Sequence, residues 1–163
     1  MGGGDYTQEI LRRLQWENNH YDHEACNWPD LRDAARQGFM HGLCSGAPGV
    51  AAARKQLLQY AQDARIRAIC EQDLAHVKMY MQRAETSIGR DSLCCGNAAR
   101  LEGAWLLQQD ISAALNAPLA FVHVLNTDDM RPGLFQGLAG AGYVLTHCLP
   151  GAHSSLLCWE EEH

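Results

Sequence analysis

The stretch DSLCCGNAARLEG, residues 91–103, sets two adjacent cysteines directly before a glycine and an alanine-rich run that reads as a helix start. Neighbouring cysteines make a strained partner for one another in a disulfide. A cysteine-bearing turn of the same type occurs earlier, in CSGAPGV (44–50), and a glycine-rich turn occurs later, in QGLAGAGY (136–143). Aligning their G-x-x-G cores pairs Gly46/Gly49, Gly96/Ala99 and Gly137/Gly140, with first positions 50 and 41 residues apart. Such an interval holds a helical pair with its connections, so the chain reads as three degenerate helix-hairpin repeats. Simple interhelical loops would account for each turn alone, but not for one core recurring three times.

The apolar pattern around the turns is helical nearly throughout. Residues 6–19 carry Ile10, Leu11 and Leu14 at helical spacing, and Pro29 in NWPDLRDAARQG is placed to open a short helix before Gly38. Residues 50–69 form an alanine-rich helical run by propensity. Residues 71–87 place Leu74, Val77, Met81 and Ala84 on one face, and 99–116 and 134–148 complete the set. LAFVHVL (119–125) is the one segment with strand character, and it reads as helical packing. An all-α fold is expected.

With 163 residues, 47% apolar and 20% charged, the chain reads as one soluble globular domain over 1–163. Its net charge of -6, without a Lys/Arg cluster, excludes a phosphate-tracking surface and hence nucleic acid as a partner. MGGGDYTQEILRRL lacks the basic start and apolar run of a signal peptide, and no stretch has the length of a membrane span. No membrane partner and a cytoplasmic location are expected. Seven cysteines, an odd number, argue for reduced thiols rather than a disulfide framework. Cys26, Cys70, Cys148 and Cys158 read as small buried residues.

The cysteines of the turns are different. Cys44, Cys94 and Cys95 all lie just ahead of helix starts. There the unsatisfied N–H groups and the positive dipole end favour thiolate, the form that binds metal or attacks an electrophile. Stacked repeats would gather those helix starts at one mouth and bring sulfurs from two turns onto one ion. Three thiolates around Zn²⁺ leave one tetrahedral position, the catalytic arrangement rather than the structural one.

Five segments, in order, carry a resemblance: NWPDLR (27–32), CSGAPG (44–49), DSLCCGNAARLE (91–102), RPGLFQGLAGAGY (131–143) and SSLLCWE (154–160). Over about residues 5–160 the chain resembles the lanthionine synthetase C-like family, and within it the C-terminal cyclase part of class II lanthipeptide synthetases. That resemblance implies an α/α toroid, with about three of its roughly six helical hairpins in this chain. It implies addition of peptide cysteine thiols to dehydroalanine or dehydrobutyrine. By the same match Cys44, Cys94 and Cys95 are the zinc ligands, in a three-cysteine version of the family site.

Several positions depart from the family pattern. The first turn reads LCSG where W-C-H-G or similar is usual, and Ala99 stands where a second glycine is usual. Alanine lacks ready access to φ > 0, should the backbone require it there. The family's upstream A-H-G histidine and assisting aspartate fall before the segment corresponding to Met1, so a truncated cyclase domain is expected. His41, three residues before Cys44, is the candidate for acid/base work; a solvated or capping histidine is the commoner alternative. His20, His23, His76, His123, His147 and His153 read as surface or packing residues, and the four tryptophans as core rather than a substrate platform. Asp91 reads as a turn residue and Glu160–Glu162 as a solvated tail.

Two functions follow. One is a zinc-dependent lanthionine cyclase acting on a dehydrated precursor peptide. A part-toroid exposes helix flanks, so such a chain would need a complementing chain with the missing hairpins or self-association. The other is a non-catalytic fragment serving as a zinc- or peptide-binding module.

Overall fold

The computed structural model describes residues 6–32, 38–83, 92–107 and 132–146. Five helices run through them: α1 (Thr7–Asn18), α2 (Ala47–Tyr60), α3 (Ala64–Arg83), α4 (Asn97–Leu106) and α5 (Leu138–Thr146). Among the described residues there is no strand. Two isolated β-bridges, Asp22 with Asn27 and Pro29 with Phe39, fold the segment between α1 and α2.

The glycine turns organise the rest. α2, α4 and α5 each follow one of them, α2 packs on α4, and α4 packs on α5. The turns are hydrogen-bonded to one another in series: Leu43 N–H donates to the Cys94 carbonyl at 2.8 Å, and Cys94 N–H donates to the Phe135 carbonyl at 2.7 Å. The helix starts therefore gather at one end, as the spacing predicts. Behind this row α3 packs against α2 and α4, and α1 packs against α3. The result is an all-helical sector of an α/α toroid.

A second feature of the repeat is a leucine three residues before each first glycine, at Leu43, Leu93 and Leu134. These side chains meet in one apolar cluster with Ala98, Leu101 and Val144, so each turn is anchored by its own leucine. The close approach of turns and helices also explains the second glycines. A Cβ at Gly49 would overlap the Leu43 carbonyl, and one at Gly140 would overlap the Leu134 carbonyl. Ala99 occupies the corresponding place fully buried. Positive φ is not the issue there, since Gly46 alone among the described glycines has it, at 103°.

The helix boundaries correct two expectations. The run 50–69 is not one helix, because α2 ends at Tyr60 and α3 begins at Ala64. Asp63 makes the break: its Oδ1 accepts the Arg65 N–H at 2.8 Å and the Ile66 N–H at 3.4 Å, an N-cap. Arg67 reaches back to the Leu58 and Ala61 carbonyls near the end of α2. The residues of NWPDLR are not helical either. Asp30 N–H bonds the Gly38 carbonyl at 2.9 Å, closing a loop; residues 33–37 lie outside the described set. LAFVHVL (119–125), Asp91, Cys148 and Cys158 lie outside it as well.

Packing follows the helical stripes. α3 buries Ile66, Cys70, Asp73, Val77 and Tyr80, a stripe one helix face wide. Its apolar members divide between a cluster with Leu11 and Leu14 of α1 and a cluster with Cys26, Trp28, Ala47 and Ala51. Asp73, fully buried, accepts Arg54 Nε at 2.7 Å and Asn18 Nδ2 at 2.7 Å, while Arg54 also pairs with Glu17. This network ties α1, α2 and α3 together through one buried guanidinium. No described helix is long and apolar enough to cross a membrane.

Candidate metal centre

Cys44 enters the site from the first turn, three residues before α2, and Cys94 and Cys95 enter from the second, directly before Gly96 and α4. Their sulfurs converge although 50 residues separate the turns. Cys44 Sγ lies 3.3 Å from Cys95 Sγ and 3.5 Å from Cys94 Sγ, and the two neighbours are 3.1 Å apart. Among the described residues this is the one group of three or more His, Cys, Asp or Glu placed to hold a metal ion.

The close approach has an identifiable backbone cause. Gly42 lets the first turn lie directly on the second, where a Cβ would overlap the Cys94 carbonyl and meet Cys95 Cα. The Leu43–Cys94 hydrogen bond fixes the register. Asn27, fully buried, holds the other end of the loop. Its Oδ1 accepts the Ala47 N–H at 2.8 Å and the Trp28 N–H at 2.9 Å, and its Nδ2 donates to the Met40 carbonyl at 3.0 Å. Gly46 has no side chain to cap α2, so Asn27 does so from 20 residues away. The third turn carries Phe135 and Gln136 where the second has Cys94 and Cys95; it supports the second turn through its backbone and brings no sulfur.

The electrostatics distinguish the three thiols. For Cys44, burial pushes the thiol up, but hydrogen bonds from Cys95 and Cys94 and the nearby Arg32 guanidinium outweigh it, and the net direction is down. For Cys94, burial dominates and the direction is up. Burial, then the other two sulfurs, pushes Cys95 up to about 12. Of the three, only Cys44 is drawn towards the thiolate, by its sulfur neighbours and Arg32. Three sulfurs in contact titrate as one set, and a cation among them would favour the second and third negative charges.

The fit to such a cation can be checked on the sulfur triangle itself. Its corners lie about 1.9 Å from its centre, inside the ordinary Zn–S distance of about 2.3 Å, so the three sulfurs are close enough to hold one such ion together. The donor set is all sulfur, which suits Zn²⁺ and other thiophilic ions rather than Mg²⁺ or Ca²⁺.

His41 is not part of this group. Its Nδ1 is 2.6 Å from the Tyr80 hydroxyl and its ring stacks on Tyr80; burial, then Arg100, lowers its pKa. Cys26 and Cys70 are buried, as expected for isolated thiols. Tyr21 stacks on His76 at a centroid distance of 4.2 Å, with His23 and Trp28 at its edges, so His23 and His76 serve packing. His123, His147 and His153 lie outside the described residues. Trp28 is core, but Trp16 is 53% exposed, against expectation.

Trp16 borders a feature that the sequence did not disclose. A cleft of about 420 Å³ adjoins Cys44, walled by Trp16, Trp28, Leu31, Val50 and Ala53, with Arg32 at its rim. It is assembled from α1, the NWPDLR loop and α2, and no local pattern marks it.

A row of helices entered by glycine turns, with three thiols gathered at the turn mouth, defines an α/α toroid sector with a thiol cluster that could hold a metal ion. The chain belongs to the lanthionine synthetase C-like protein family, whose model matches residues 4–159. No curated protein and no solved structure matches it.

Proposed function

We propose that this chain is a lanthionine cyclase of the zinc-dependent kind, with Cys44, Cys94 and Cys95 as the ligands and a dehydrated precursor peptide as the substrate. The observation that carries the reading is the convergence of three sulfurs, from turns far apart in sequence, within 4.8 Å of one another. Cys44, Cys94 and Cys95 would hold the Zn²⁺ ion, which would supply the Lewis acidity that lowers the pKa of a peptide thiol while leaving it nucleophilic.

The protein's own part is to build and orient that position. The stacked turns gather the three sulfurs, and among the described residues no fourth ligand joins them, which leaves one face of the sulfur triangle open to a peptide thiol. Cys44 is the exposed member, and the cleft adjoins it, which gives a peptide a path to the open face. In the reaction the peptide's sulfur bonds to the β-carbon of a dehydroalanine or dehydrobutyrine. The C=C bond opens, and a proton finishes on the α-carbon, so nothing is released and the peptide's mass is unchanged.

The test is incubation of the zinc-loaded chain with a dehydrated, cysteine-containing precursor, followed by thiol alkylation and mass analysis. Loss of alkylatable thiols that depends on both the chain and zinc supports the cyclase. Zinc and peptide binding with every thiol still alkylatable would overturn it in favour of a metal- or peptide-binding module.

A further inference from the structure

The geometry points to the cleft beside Cys44 as a subsite for the residue next to the reacting cysteine, selecting an aromatic or branched aliphatic side chain. This deepens the proposed thiol-binding role of the three cysteines and rests on it. Three observations carry it.

The first is position. Cys44 is itself part of the cleft wall, so a peptide sulfur seated against the three thiols lies at the cleft's edge. Adjacent Cα atoms are about 3.8 Å apart, which puts a neighbouring side chain within reach of the cleft. The second is chemistry. Trp16 and Leu31, exposed by 53% and 50%, face into the same cleft as Val50 and Ala53 of α2. Large apolar groups left this open around a concavity mark a place where apolar surface is covered on binding. The third is charge. Arg32 is paired with Asp30 at 2.7 Å, and Arg54 is paired with Glu17 and Asp73, so the cations at the cleft already have carboxylate partners. That disfavours an anionic occupant and leaves the apolar wall to discriminate.

The experiment titrates the zinc-loaded full chain calorimetrically with short peptides containing one cysteine, flanked on either side by Gly or by Phe. The Phe-flanked peptide is expected to bind on the order of tenfold more tightly, the return from burying part of one aromatic side chain. Ala53→Trp fills the cleft from an exposed helical position, and Leu31→Ser removes an apolar wall; each should cut that ratio to about twofold or less. Zinc content and helical circular dichroism are measured on both variants, so that an unfolded protein is not mistaken for a filled cleft. Equal affinity for all flanking residues in the wild type, or an undiminished ratio in both folded variants, overturns the subsite and leaves the cyclase reading standing. Failure of every cysteine peptide to bind the zinc-loaded chain overturns the cyclase reading, and the subsite with it.

Discussion

Asn27→Ala tests how the turn that carries Cys44 is held in place. The Asn27 side chain makes three hydrogen bonds, two accepted from Ala47 and Trp28 N–H and one donated to the Met40 carbonyl, and it is fully buried. Each bond contributes about 0.5–1.5 kcal/mol net, and a buried donor left without a partner costs about 1–3 kcal/mol. Ala47 N–H is such a donor, since Ala47 is itself fully buried and Gly46 offers nothing in exchange. The expected loss is about 3 kcal/mol, a large share of the roughly 5–15 kcal/mol available to a domain. With a urea slope of about 2 kcal/mol/M, the midpoint falls by about 1.5 M. Equilibrium urea unfolding followed by circular dichroism measures it, with exposed Gln15→Ala as a control expected within about 0.5 kcal/mol of wild type. Because the loop between Met40 and Ala47 carries Cys44, zinc affinity should fall by tenfold or more in the same variant. A loss below about 1 kcal/mol would refute the assignment of Asn27 as the cap of α2.

Other perturbations probe separate parts of the account. Gly42→Ala drives a methyl into the Cys94 carbonyl and Cys95 Cα, backbone atoms that no rotamer change can move, so zinc affinity measured by chelator competition should drop by at least about tenfold. Arg54→Met leaves the fully buried Asp73 carboxylate without its cation and should cost about 3–5 kcal/mol in urea unfolding. Stability should also fall in mild acid. Burial holds His41 and His76 below the ordinary 6.5, so the unfolded chain takes up their protons first. Their contribution is complete above about pH 6.5 and declines as the pH drops through that value towards the depressed ones, whereas Asp30 and Asp63, held near 2, lose theirs only below about pH 4. Urea midpoints from pH 8 to pH 5 measure the decline, and His76→Gln should flatten it.

Much of the fold was legible because the decisive signal was local and repeated. Each glycine turn is a few residues long, and its recurrence carried the prediction that helix starts would share one mouth. The meeting of Cys44 with Cys94 and Cys95 followed from that stacking. The break at residues 61–63 was hidden because alanine-rich flanks favour helix on both sides, and a single aspartate, Asp63, decides the restart. The repeated leucines at 43, 93 and 134 were present in the sequence, but only their meeting in one cluster gives them meaning. Asn27 leaves no local trace, because the helix it caps begins 20 residues later. The cleft is harder still to foresee, since its walls come from three segments. Even among the thiols, the helix-start argument treats three residues alike, whereas burial and mutual repulsion set Cys44 apart from the other two.

The central claim is a metal held by three cysteines of this chain with one position open to a peptide thiol. Zinc K-edge X-ray absorption on the reduced, zinc-loaded chain tests it directly. The account predicts three sulfurs and one nitrogen or oxygen at the metal, at Zn–S distances of about 2.3 Å, changing to four sulfurs when a cysteine peptide is added. Cys94→Ala should abolish the bound zinc. A resting centre already closed by four sulfurs, or a spectrum unchanged by saturating peptide, would contradict the account.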